Sequence, residues 1–246
     1  MLIKLIKYDL RAMGRLLAPI SGVLLILSVV LGFNLRGQFD TENWTLIPII
    51  LGVLIVFLVF FALMLTFVLT ISRFKQNLFG NQGYLSFALP VSTAEHIAGK
   101  FIASFLWFIL IAAVSCLSFY LVTTISTPAL VRKLAFPYIR QYLEANNISI
   151  PVPEILLATL TMAIHGLFHL YAAICIGHLW QKHSTLLGII AYVVLSVLTS
   201  RLLFYLSGTP LFAGHYLTGT VVFYLVFSAI YAFICWIVLE RHLNLD

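Results

Sequence analysis

IILGVLIVFLVFFALMLTFVL, residues 49–69, is the stretch that decides the fold. It carries no charged residue, and Thr66 is its one hydroxyl. It meets the roughly 20 apolar residues needed to cross a hydrocarbon core of about 30 Å. Hydrocarbon offers the backbone no hydrogen bonds, so a chain crossing it must satisfy its own amides and carbonyls. A helix does this within one segment. A membrane barrel would need polar and apolar residues in alternation, and this run does not alternate.

Working outward, similar runs fill most of the chain. Spans are expected near 16–35, 45–72, 97–126, 154–180, 184–204 and 217–239, which predicts an all-α integral membrane protein with six transmembrane helices in a single domain, 1–246. The composition agrees. Of the 246 residues, 62% are hydrophobic and 9% charged, where a soluble domain carries about 25% charged residues. Mean hydropathy is +1.09. The net charge of +6 is explained by topology and anionic headgroups, with no need of nucleic acid. Cys116, Cys175 and Cys235 fall inside apolar runs and imply no disulfide framework. The basic start leads into an apolar run too long for a signal-peptide core, so it reads as a retained first span.

An even number of spans puts both termini on one side. Lys4, Lys7, Arg11, Arg15, Arg73, Lys75, Lys100, Lys182 and Arg241 share the N-terminal side, against Arg36, Arg132, Lys133, Arg140 and Arg201 on the other. The positive-inside rule then makes the termini cytoplasmic. Within residues 1–15, Lys4, Lys7, Arg11 and Arg15 recur on one helical face, and Leu2, Leu5, Ile6, Leu10 and Met13 on the other. That pattern predicts an interfacial amphipathic helix; the same four cations also serve as plain topological anchors. The outer connection, 127–153, reads as one or two short amphipathic helices with Pro137 at a first turn or kink.

The inner connection, 73–96, is the most informative. Asn77, Gly80, Asn81 and Gly83 punctuate it as a turn. Tyr84, Leu85, Phe87 and Leu89 follow, and Pro90 ends that piece. Ser92 with Glu95 three residues later is a capping box, so a helix starts there and runs into the third span. Exposed aromatics beside a defined helix start suit a docking segment, or a loop folded back on its own helices.

The run GYLSFALPVS at 83–92, followed by Gly99-Lys100, resembles the segment between the second and third spans of permeases in the second class of ABC exporters, in the wording of small Gram-positive members. The layout of the whole chain is similar too: a basic amphipathic elbow helix, six spans, a long third outer-side connection and a short cytoplasmic tail. The resemblance implies a cytoplasmic coupling segment of Tyr84, Leu85, Phe87, Leu89, Pro90, Ser92 and Glu95 that docks on an ATPase subunit. It implies two permease copies, identical or related, with two ATPases, in the plasma membrane of a bacterium. It implies export of a hydrophobic or amphipathic cargo, here taken as peptides. ATP and magnesium would belong to the partner, because this chain lacks the G-x-x-x-x-G-K-[ST] loop that holds phosphates.

Other chemistry is weaker. His165 and His169 stand at i and i+4 on the fourth span. Two histidines at that spacing can bind zinc, but the protease pattern H-E-x-x-H lacks its Glu here and no nearby Asp adds a third ligand. Polar residues within a membrane more often face an interior or cavity, which in a permease would be the subunit interface or the translocation path. No metal is therefore expected. No Ser or Cys sits in a nucleophile elbow, and none of the eight acidic residues is mid-span. No catalytic residue is assigned, and the chain is not expected to be an enzyme. The competing classes are a polytopic metallopeptidase using His165 and His169, and a non-catalytic membrane scaffold.

Overall fold

The computed structural model describes residues 2–41, 45–80, 92–128, 137–138, 141–142, 144–145, 151–179, 183–209, 212 and 216–241. Among the described residues, six helices are long and apolar enough to cross a membrane. They are α1 (Leu2–Thr41), α2 (Ile47–Leu78), α3 (Thr93–Ser126), α4 (Val152–Gly177), α5 (Ser184–Ser207) and α6 (Tyr216–Arg241). No strand occurs among the described residues.

The helix ends follow local chemistry. The last turn of α2 closes with the amides of Phe79 and Gly80 both donating to the Lys75 carbonyl, at 2.9 and 3.1 Å. The capping box at the start of α3 forms as its spacing predicts. The Ser92 amide donates to Glu95 Oε2 at 3.1 Å, and the Glu95 amide donates to Ser92 Oγ at 3.3 Å. Pro151 precedes α4, and Pro153 sits in its first turn, where a missing N–H costs nothing because no intrahelical partner exists. Residues 137–138, 141–142 and 144–145 are helical and exposed.

At the N-terminus, residues 2–15 are helical, with Lys4, Lys7, Arg11 and Arg15 exposed and Met13 buried. The helix then continues without a break to Thr41, through Pro19. Leu16, Leu17 and Ala18 supply no turn chemistry after Arg15, so the periodic apolar stripe of the first 15 residues runs directly into that of the span. Buried serines and threonines are accommodated by bonding a carbonyl one turn back, as Ser21 does to Leu17, Thr66 to Ala62 and Thr199 to Leu195.

The chain divides into two compact units. One comprises Arg11–Phe67 and Leu106–Ile150, the other Met1–Leu10, Val68–Phe105 and Pro151–Asp246. In the first, Leu17, Leu24, Ala62 and Ile111 are buried, and Ser28 Oγ meets Ser118 Oγ at 2.6 Å, tying α1 to α3. In the second, Phe74, Leu78, Ile97, Tyr171, Cys175, Tyr231 and Cys235 belong to one apolar core, with Phe74 stacked on Tyr171 at 4.1 Å. Here α4 packs along α5 and α6. A Cβ on Gly177 would lie 2.5 Å from the Gly188 amide nitrogen, so the end of α4 approaches α5 more closely than any larger residue permits. Cys175 and Cys235 are buried and Cys116 is exposed, all as free thiols.

Candidate functional site

The second unit contains a buried polar web that the sequence does not advertise. Asp9 lies on the helical face shared by Leu2, Leu5, Ile6 and Met13, and it is 2% exposed. The exposed cations of its own helix point elsewhere. Its partner is Lys100, two turns into α3 and 7% exposed, whose Nζ meets Asp9 Oδ2 at 2.6 Å. Asn77, in the last turn of α2, places Nδ2 3.5 Å from Asp9 Oδ1. One carboxylate therefore faces both the helix that enters the 81–91 segment and the helix that leaves it.

The web extends into α4. The Tyr171 hydroxyl lies 3.3 Å from the Lys100 carbonyl oxygen and 3.1 Å from Ser104 Oγ. With the ring of Tyr171 on Phe74, that side chain links α4 to both α2 and α3. Gly99 faces Leu2 and Leu5, where a Cβ would make ordinary contacts at 3.5 and 3.7 Å. A buried charge pair is not in itself a strong source of stability, because removing two ions from water offsets most of their attraction. What it does provide is a fixed register, since either charge alone in that position is strongly unfavourable.

Of the expected coupling residues, Ser92 and Glu95 form the cap of α3 described above. Tyr84, Leu85, Phe87, Leu89 and Pro90 lie outside the described residues. Lys4, Lys7, Arg11 and Arg15 form the exposed face opposite the one that carries Asp9.

His165 and His169 are both buried on α4, with ring centroids 5.7 Å apart. Tyr192 of α5 stacks on His169 at 4.6 Å, and Tyr231 of α6 lies 5.2 Å from it. Tyr224 and Tyr231 flank His165 at 4.9 and 5.5 Å. The pair is thus packed among this chain's own tyrosines. His165 Nδ1 and His169 Nε2 find no hydrogen-bond partner among the described residues. No group of three or more His, Cys, Asp or Glu is placed to hold a metal among the described residues.

Asp9, Asn77 and Tyr171 are the site residues that sequence reasoning missed. A signal for Asp9 exists: it is an acid at an apolar position of an otherwise regular amphipathic pattern. Lys100 was legible as a topological charge and as part of the Gly99-Lys100 pair that follows the 83–92 run, but not as a partner of Asp9. No family model matches this chain, and no match is found among curated proteins or among solved structures. The six long apolar helices fit a multi-pass membrane protein.

Proposed function

We propose that this chain is the permease subunit of an ABC exporter of the second class, moving a hydrophobic or amphipathic cargo, taken as peptides, out of a bacterial cell. ATP would be hydrolysed by a separate nucleotide-binding chain, with two permeases and two ATPases per transporter. The carrying observation is the GYLSFALPVS run at 83–92 leading straight into the capped start of α3. Four large apolar side chains between Tyr84 and Leu89, on the side proposed as cytoplasmic, call for a cover. Burial of each is worth roughly 1.5–3 kcal/mol, and aromatic and apolar anchors dominate docking energy.

The polar web suits this function. A force applied at 81–91 reaches the ends of α2 and α3, and both ends meet Asp9. The one buried carboxylate among the described residues, Asp9, is held by Lys100 at 2.6 Å, which suits a machine driven by a partner's ATP better than an ion-driven pump, whose buried carboxylate must be free to take up the ion. His165 and His169 remain candidates for the translocation path, reached if α5 or α6 moves away from α4.

The test is purification of the tagged chain from the cells that encode it. A chain with a P-loop should accompany it. Alanine at Tyr84, Leu85 and Phe87 together should leave the chain inserted but reduce recovery of that ATPase or abolish export. Normal recovery and normal export in the triple variant would sink the docking mechanism. Absence of any P-loop partner from the wild type would sink the permease assignment itself.

A further inference from the structure

Between α5 and α6 lies a cavity that the proposed function leaves unused. Its volume is about 480 Å³, within the roughly 300–1,000 Å³ of small-molecule sites. Phe212 forms one wall. The ring is buried, its amide donates to the Thr209 carbonyl at 3.1 Å, and it presses on α6 at Gly219, where a Cβ would fall 2.7 Å from two ring carbons. Glycine is the one residue that lets this ring seat so closely, which keeps the space beside it open.

The chemistry of the wall narrows the occupant. Among the described residues, Thr218 is the single polar side chain that lines it. Water in a cavity needs two to four polar partners, and this wall offers too few. The rim is also apolar. Val222 and Val226 line the cavity and are nonetheless 56% and 51% exposed. The opening therefore lies sideways on the outward surface of a helix built to cross a membrane, and hydrocarbon is what reaches it. A headgroup would find nothing inside to replace its hydration.

We infer that this cavity is a resident site for one acyl chain of a bilayer phospholipid, with the headgroup left outside. The occupant would bear on Phe227, which also lines the cavity and sits 6.5 Å from His165 and 6.0 Å from Tyr231, ring to ring. The lipid chain thereby buttresses the histidine–tyrosine cluster from the membrane side. The site stands whether or not the chain is a permease.

The test uses the full chain in phosphatidylethanolamine and phosphatidylglycerol vesicles. A trace of the phosphatidylglycerol carries a diazirine in one acyl chain. After illumination, adducts are mapped by mass spectrometry. They should concentrate on Phe212 and residues 222–227, several-fold above the outward apolar face of α2 at Val53, Phe57 and Phe60. Val222→Trp with Val226→Trp fills the space from the rim and should remove the Phe212 adducts while leaving α2 labelling unchanged. Val226→Phe is the milder variant, should the double one not fold. Equal labelling of both faces, or Phe212 adducts that survive filling, would overturn the inference. So would a cavity that ignores the lipid probe and is labelled by an amphipathic peptide carrying the same diazirine.

Discussion

Lys100→Met tests the polar web most directly. Methionine keeps the apolar reach of the lysine stem and removes its charge. Among the described residues, Asp9, at 2% exposed, then retains the Asn77 amide at 3.5 Å, in place of an ammonium at 2.6 Å. Removing one partner of a buried pair costs about 3–5 kcal/mol, because the remaining charge is stranded. Adding Asp9→Leu removes the stranded charge. Apolar replacement of a whole buried pair is often neutral, or stabilising by about 1–4 kcal/mol. The double variant should therefore be more stable than Lys100→Met alone. The coupling energy should reach the upper end of the roughly 0.5–3 kcal/mol typical of contacting residues. Reversible unfolding of the purified chain in mixed micelles, titrated with a denaturing detergent, measures all four corners of the cycle. Strictly additive losses would refute the buried pair, as would a Lys100→Met cost below about 1 kcal/mol, the range of solvent-exposed pairs. If the web also transmits docking force, the stable double variant should retain its ATPase partner yet export poorly.

Three further outcomes follow from the geometry. Ser92→Ala with Glu95→Ala removes both capping bonds and should cost about 0.5–2 kcal/mol, with faster hydrogen exchange confined to the first turn of α3. Tyr171→Phe keeps the stack on Phe74 and loses the bonds to Lys100 and Ser104. Its cost should be about 0.5–1.5 kcal/mol, against roughly 3–5 for Tyr171→Ala on the scale of other buried aromatics; equal losses from the two would show that the hydroxyl carries the contact. Gly177→Ala forces a methyl to within 2.5 Å of the Gly188 backbone, and such overpacking should cost about 1–3 kcal/mol by the same unfolding titration.

Much of the fold was legible in the chain. Residues 49–69 admit one conformation in hydrocarbon, and the other five spans follow from the same length and composition rule. Ser92 and Glu95 announced the start of α3 because a capping box is a contact between residues three apart. The end of the first element was less legible. Its change from amphipathic to wholly apolar character marks a change of surroundings, and a helix passes through such a change with no break in its hydrogen bonds. The histidine pair was visible from its i, i+4 spacing, but its tyrosine neighbours come from α5 and α6.

By itself, then, the sequence determined what rests on local pattern: six long helices, the capped start of α3 at Ser92 and Glu95, and the exposed basic face at Lys4, Lys7, Arg11 and Arg15. Only the tertiary structure decided that Asp9 meets Lys100, 91 residues away, with Asn77 beside them and Tyr171 closing the web from α4. It also decided that Phe212 seats on Gly219 and leaves a cavity next to it. The physical reason is common to both. A buried ion pair and an open pocket depend on side chains from separate helices reaching the same few ångströms, and periodicity within one helix gives the face a residue occupies but not the partner that face will meet.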